Sequence, residues 1–207
     1  MSYFKELPNL EYKSFLSDKT RSDQYLIVKN LFRRVKLRDD LHNVFTIFNK
    51  YQIEDGSRPD LVSEELYGST QYDWIVLICA GITHARDQWP LSDKQVYDYA
   101  ESIYGEKLND VHHYETTEVK DSEDRLILPS GKVVNSSFTI PNPSNPNATL
   151  NPVTAVSNYE YEVIKNNEKR SIYVLKPSYL QQVLLDTRKA MTYTKSSQYV
   201  NNQLIKS

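Results

Sequence analysis

The chain has 207 residues, 39% of them hydrophobic, and a formal net charge of −2, with a mean hydropathy of −0.61. That length allows one domain or two small ones, and the low apolar fraction leaves part of the core to be finished by a partner. Near-neutral charge and a pI of about 6.1 speak against a general nucleic-acid or membrane-surface binder, because both need a basic excess.

Residues 1–30 hold Tyr3, Phe4, Tyr12, Phe15 and Tyr25 among polar residues, with little periodicity. An arm that docks on a neighbouring protein reads this way, and so does a poorly ordered terminus. Lys5, Glu6 and Pro8 interrupt the apolar stretch that a signal peptide needs, so no secretory route is expected. Residues 31–38, LFRRVKLR, fit a strand with Val35 and Leu37 on one face and Arg34, Lys36 and Arg38 on the other, beside Arg33. This basic stripe is either a solvated strand face or a docking surface for an acidic partner. Residues 1–43 are therefore expected to form an extended N-terminal arm with a basic strand.

Residues 51–91 are the most informative stretch, read as a βαα(β) module. Tyr51-x-Ile53 is the strand. Ser57 serves as N-cap, Pro59 sits in the first turn where its missing N–H costs nothing, Asp60 completes a capping box, and Gly68 stops the helix, which predicts a helix over 58–67. Thr70 and Asp73 repeat the cap before Trp74-Ile75-Val76-Leu77-Ile78-Cys79-Ala80, and Gly81 is again the stop. Periodicity alone leaves this run open between strand and helix; the cap and stop favour helix. Tyr51, Leu61, Leu66, Tyr67, Gly68, Trp74, Leu77 and Trp89 are the expected module core. Cys79 is the single cysteine, so no disulfide forms within the chain, and its apolar surroundings predict a buried, inert thiol.

Ser92-Asp93-Lys94-Gln95 is a capping box. Val96, Tyr99, Ala100 and Ile103 follow at helical spacing and Gly105 ends the pattern. This helix is expected to lay its stripe on the module, giving one body over 44–106. Over 107–152, Arg125–Leu128 and Lys132–Val134 read as a hairpin around Pro129-Ser130-Gly131, and the Asn- and Pro-rich stretch from Asn135 to Pro152 reads as an extended loop. Residues 153–207 form the last segment. YEYEVIK alternates like a strand, whereas Ser157-x-x-Glu160 fits a helix start. A helix from Tyr179 to about Tyr193, capped by Ser178, carries Leu180, Val183, Leu184, Thr187 and Met191 on one face, and the tail after Lys195 is expected to be loose.

Several of these pieces resemble one family. The module resembles a LysM-like βααβ unit. Its Arg58-Pro59 start, Leu66-Tyr67-Gly68 end and Tyr72-x-Trp74 opening look like the baseplate wedge subunit family of contractile-tailed, T4-like bacteriophages that carries such a domain. Tyr3 to Tyr12, Phe32 to Leu37, Trp89-Pro90-Leu91-Ser92 and Asn167 to Ile172 resemble family segments in the same order, which leaves out only about 120–152. The chain departs from LysM-like modules at Ser57, where an Asp is common, and at Ala80-Gly81, where an Asn is common. The resemblance favours a helix and then a strand at 171–175. It implies an α+β fold: a LysM-like βααβ module extended by helices, with an extended N-terminal arm and a C-terminal strand-helix segment. It also implies a structural subunit that clamps other baseplate wedge proteins and links neighbouring wedges, residing in the virion tail baseplate after assembly in the bacterial host cytoplasm. The expected contacts are Tyr3, Phe4, Tyr12, Arg33, Arg34, Lys36 and Arg38. Sixteen tyrosines against two methionines suit wet protein interfaces, because Tyr offers a large area with a polar tip.

A search for chemistry returns little. Five dispersed glycines leave no phosphate-cradling loop, and neither a G-x-S-x-G elbow nor an H-E-x-x-H helix is present. His112 and His113 on a strand would point to opposite faces, and His42 and His84 lack ligand-spaced companions. Glu64 and Glu65 are neighbours splayed on a helix and not a glycosidase pair. No catalytic residue, cofactor or metal is expected. The alternative function is a peptidoglycan-binding LysM-type module, disfavoured by the single copy and the two departures; an assembly chaperone that leaves the finished particle is a third.

Overall fold

The computed structural model describes residues 3–13, 25–34 and 45–206. The fold is α+β, as expected, and divides into two compact units: residues 1–89 with 171–207, and residues 90–170. In chain order the first unit contains α1 (Tyr3–Glu6), β1 (Asn9–Lys13), β2 (Tyr25–Lys29), β3 (Phe48–Gln52), α2 (Pro59–Tyr67), α3 (Asp73–Cys79) and α4 (Ala85–Gln88). The second unit holds α5 (Asp93–Tyr104), β4 (Val111–Thr116), β5 (Val119–Lys120), β6 (Leu126–Leu128), β7 (Val133–Val134), β8 (Ile140–Asn142), β9 (Asn145–Leu150), β10 (Val153–Ser157) and α6 (Asn158–Arg170). The chain then returns to the first unit for β11 (Ser171–Leu175), α7 (Leu180–Met191), β12 (Tyr199–Asn201) and β13 (Leu204–Lys206).

In the first unit β3 pairs antiparallel with β11, from Phe48↔Leu175 to Gln52↔Ser171. The strand that completes the β-α-α-β unit is thus Ser171–Leu175 and lies outside residues 51–91, whose end after α3 carries the short α4 and the buried Trp89. Trp89 is anchored by its indole N–H, which donates to the Ser57 carbonyl at 2.8 Å. Ser57 does not cap α2. The cap residue is Arg58, in extended conformation, and its guanidinium takes the Asp60 carboxylate (Nε to Oδ1 3.0 Å), so the expected capping box does not form. The apolar run 74–79 is helical because its end is closed locally: Gly81 N–H donates to the Ile78 carbonyl and Ile82 N–H to the Leu77 carbonyl, with Gly81 at φ 70°. This is a Schellman stop, which needs the left-handed conformation that glycine adopts without strain. Two apolar clusters meet here. Ile47, Trp74, Ile75, Leu175, Val183 and Leu184 belong to one, while Ile53, Val62, Val76, Trp89, Ile172 and Val174 form the other. All five residues expected on the inner face of α7 are buried.

The described residues near both ends of the chain pair into one sheet. β1 pairs antiparallel with β2, Asn9↔Lys29 to Lys13↔Tyr25, and parallel with β13, Asn9↔Leu204 to Glu11↔Lys206. β12 folds back on β13 to complete a sheet of order β12-β13-β1-β2. Residues 3–13 of the arm are folded in because Leu7, 1% exposed, is buried just ahead of β1, and the tail, expected to be loose, is ordered over its described residues because it supplies β1 with a second hydrogen-bonding edge.

In the second unit the Ser92 capping box forms, with Gln95 N–H to Ser92 Oγ at 3.4 Å and Ser92 N–H to Gln95 Oε1 at 3.1 Å. Helix α5 belongs to the same compact unit as α6 and packs against it. It buries Val96 and Ala100 and leaves Tyr99 and Ile103 exposed. The expected hairpin does not pair with itself. β6 pairs with β5, because Asp121 Oδ1 accepts from the Glu123 and Arg125 amides at 2.9 Å each and so turns the chain early. β7 pairs with β4, because the Thr116 hydroxyl donates to the Pro129 carbonyl at 2.7 Å and holds the 129–132 turn against it. The Asn/Pro stretch, expected as a loop, contains the β8–β9 pair. A two-stranded ladder has outer edges where Pro141 loses no partner by lacking an N–H, and the Asn142 and Asn145 side chains accept from the Ser144 and Asn147 amides to shape the turn.

The ambiguous 153–175 segment resolves as strand, helix and strand. Helix α6 starts with a capping box: Glu160 N–H donates to Ser157 Oγ at 3.2 Å, and Ser157 N–H to Glu160 Oε2 at 2.8 Å. The backbone amide and hydroxyl of Ser157 hold the Glu160 carboxyl below its ordinary range. A lowered carboxyl pKa contributes stability above the range where the unfolded carboxylate titrates, and that contribution fades as pH falls through the folded value. Ser157→Ala should therefore move the Glu160 midpoint upward in an NMR titration; an unmoved midpoint would mean the box is not formed in solution.

Candidate assembly surface

The side chains expected at an interface divide between internal and outward positions. Tyr3 faces inward, with its ring 5.6 Å from Trp74. Phe4 is largely exposed and meets Tyr3 edge-on. Tyr12 is on the open sheet. Arg33 is engaged within the chain: its Nη1 donates to the Ala190 and Thr192 carbonyls at 3.2 Å each, and its guanidinium lies 4.9 Å from the centre of the Tyr193 ring. A cation at the C-terminal end of α7 complements the unpaired carbonyls there, so this charge has an internal role. Arg34 is exposed. Of the strand expected over 31–38, residues 35–38, Lys36 and Arg38 among them, lie outside the described residues, and Leu31 and Phe32 form a turn in place of a strand.

That turn is built by Asn30. Its Nδ2 donates to the Tyr193 hydroxyl at 2.8 Å and its Oδ1 accepts from the Phe32 amide at 3.1 Å. The side chain is thereby fixed from two directions, and Phe32 projects outward at 95% exposure with Leu31 at 68%. Strand β2 leads into this turn, and its Tyr25, Leu26, Ile27 and Val28 are all exposed. Leu26 and Val28 stand opposite Tyr12 and Leu10, so one face of the sheet carries a row of apolar side chains. Charged Glu11 and Lys13 lie on the other face, opposite Ile27 and Tyr25. Exposed apolar side chains in a row make this face a candidate contact surface. The interface reading overlooked it, although the continuous run Tyr-Leu-Ile-Val between Gln24 and Lys29 was a strand signal in its own right.

The residues expected in the module core differ in burial. Trp74 and Trp89 are buried, while Tyr51, Leu66, Tyr67 and Leu77 are half-buried against the second cluster. Tyr67 donates its hydroxyl to the Leu175 carbonyl at 3.0 Å, and burial raises its pKa. Gly68 ends α2 in left-handed conformation with its N–H on the Glu64 carbonyl. Leu61 is the exception: it sits on the outer side of α2 at 49% exposure, because Val62 and Ser63 occupy the inward positions. Burial pushes the Cys79 thiol up to about 12, which keeps it protonated and unreactive.

His112 and His113 do not point apart. Their Nδ1 atoms are 2.8 Å from each other, His113 Nε2 is 2.8 Å from Glu115 Oε1, and His112 stacks on Tyr161 with centroids 3.9 Å apart. The register of β4 against β10 skips at this point, with Val156 opposite His113 and Ser157 opposite Val111. His112 is the extra residue of the bulge, which lets consecutive side chains share a side. Each ring's Nδ1 is thus engaged by the other's. Among the described residues no group of three metal-ligating side chains converges, and no helix is long and apolar enough to cross a membrane.

The outward features of this sheet and turn are thus chiefly apolar. Residues 4–122 match the family described as base plate wedge protein 53, a span that includes β1, β2 and the whole β3-α2-α3 segment. No curated protein matches the chain.

Proposed function

Because the chain belongs to the base plate wedge protein 53 family, we propose that it is a non-enzymatic building block of a contractile phage tail, clamping other wedge proteins together and joining neighbouring wedges as the baseplate assembles. The family match over residues 4–122 carries this reading, and assembly would take place in the cytoplasm of the bacterial host before the protein comes to reside in the virion tail. Phe4, Tyr12, Arg34 and the Leu31-Phe32 turn are the proposed contacts on the described surface, with Lys36 and Arg38 continuing the basic stretch. Contact area carries the function, so no single residue is expected to be indispensable for it.

The β-α-α-β arrangement completed by Ser171–Leu175 supports reading the central module as LysM-like. Protein binding is favoured over glycan binding at its helix ends. Arg58 and Asp60 engage each other there, the Ser57 carbonyl is taken by Trp89, and Gly81 offers no side chain for a sugar hydroxyl.

The test is a tagged pull-down of the full chain from cells producing the virus, after a cell-wall digest, read by mass spectrometry. Other tail proteins should be recovered. Phe32→Ser should recover them less well without moving the melting temperature, since the ring makes few contacts of its own. Recovery of cell-wall fragments without tail proteins would overturn the reading in favour of the peptidoglycan-binding module. Absence of the chain from mature particles would point to a chaperone instead.

A further inference from the structure

Among the described residues β2 pairs with β1 alone and forms the outer edge of its sheet. The hydrogen-bond phase of that edge follows from one contact. Asn30 N–H donates to the Pro8 carbonyl at 2.9 Å, on the same register that pairs Leu10 with Val28 and Tyr12 with Leu26. Residues 26, 28 and 30 therefore turn their backbone groups toward β1, because amide direction alternates along a strand. Tyr25, Ile27 and Lys29 turn theirs outward. An open edge flanked by apolar side chains on both faces is a template for another strand.

We propose that this strand is β2 of a second copy of the chain, paired antiparallel about a twofold axis at Ile27, so that two sheets become one. Strand β2 is complementary to itself in that register. Ile27 meets its own copy, Tyr25 meets Lys29, and Leu26 meets Val28. The outward residues 25, 27 and 29 fall opposite outward residues, so each facing pair closes two N–H···O=C bonds. The single charge on the strand never opposes itself. Lys29 lies opposite an aromatic ring, and its ammonium is already drawn to the chain's own Leu7 carbonyl at 2.8 Å. Apolar side chains exposed in the single copy, Ile27 at 67% among them, gain cross-strand partners on both faces. The self-pairing does not rest on the baseplate reading and goes beyond it: it states how the free protein covers its edge strand.

A five-residue strand is small beside the roughly 800 Å² per partner of a stable interface, so the dimer should be reversible. Sedimentation of the purified full chain between about 1 µM and 1 mM, a range spanning about 4 kcal/mol of binding free energy, should show a monomer passing to a dimer. The amides of Tyr25, Ile27 and Lys29 should exchange with solvent more slowly as concentration rises, with those of Leu26 and Val28 unchanged. Ile27→Lys sets like charges on the axis and should weaken association at least about tenfold. Mixing Ile27→Lys with Ile27→Glu should restore it. Ile27→Pro removes an outward N–H that an edge strand does not need for its own fold, and should give a folded monomer by circular dichroism. A wild-type chain that stays monomeric throughout would overturn the proposal, as would a dimer that survives both Ile27→Lys and Ile27→Pro. Edge amides protected only when another protein's strand is added would overturn it too, in favour of that partner.

Discussion

Trp74→Ala is expected to destabilise the first unit by roughly 3–5 kcal/mol, the usual cost of emptying a buried aromatic site, and to lower the melting temperature by on the order of 10 °C for a chain of this size. Trp74 is 7% exposed and belongs to the cluster of Ile47, Ile75, Leu175, Val183 and Leu184. It also provides the surface on which the Tyr3 ring rests. Those neighbours come from segments near residues 3, 47, 74, 175 and 184, so the vacated space cannot be closed by shifting one element alone. Calorimetry on the full chain measures the loss. An unchanged melting temperature would mean that the indole is a surface contact and that the cluster is organised around something else.

The second large effect is expected in the other unit. Asn166 is buried at 6% exposure; its Oδ1 accepts from the Leu91 amide at 2.7 Å and its Nδ2 donates to the Leu91 carbonyl at 2.9 Å. One side chain thus gives an irregular stretch of backbone the two partners that a neighbouring strand would supply. Arg170 Nη2 reaches the same carbonyl at 3.4 Å and Asp93 at 2.9 Å. Asn166→Ala leaves the Leu91 N–H without its partner, and a buried donor left unmade costs about 1–3 kcal/mol. Hydrogen exchange is the measurement that isolates it: amides of α5 and α6 should open faster, while those of β3 and β11 keep their protection. Asn166→Asp, which retains the acceptor and loses the donor, should fall between wild type and alanine. Equal acceleration in both units would mean that the chain unfolds as a single cooperative body.

The helices were legible because their instructions lie within a few residues. Ser92 with Gln95, Ser157 with Glu160, and Gly68 and Gly81 at the stops are local devices, and the apolar run 74–79 became a helix because such a device closes it. Where a local reading failed, a nearer or stronger partner had taken the group: Arg58 occupies Asp60, and Trp89 occupies the Ser57 carbonyl. Strands at 126–128 and 133–134 were also legible, but their mutual pairing was not. The Asp121 turn and the Thr116 hydroxyl offer each strand a different neighbour, and no pattern within either strand encodes that choice.

The candidate surface was legible only in outline. Phe4, Tyr12 and Arg34 are exposed, but the basic residue Arg33 serves the end of α7, a helix that begins about 150 residues further along. Strand β2 was overlooked because its apolar run invites burial, and only the position of β2 at the edge of the sheet turns those side chains outward.

By itself the sequence determined the α+β class, the helix caps at Ser92 and Ser157, the stops at Gly68 and Gly81, the apolar face of α7, and the family, since all of these are written in residue types at short spacing. The tertiary structure decided which strands pair, that β13 completes the sheet begun by β1, and that Ser171–Leu175 closes the unit opened by Phe48–Gln52. Pairing across such distances is selected by the summed burial and backbone hydrogen bonding of the whole unit against the entropy of closing the intervening loop, and no short window of residues contains that sum.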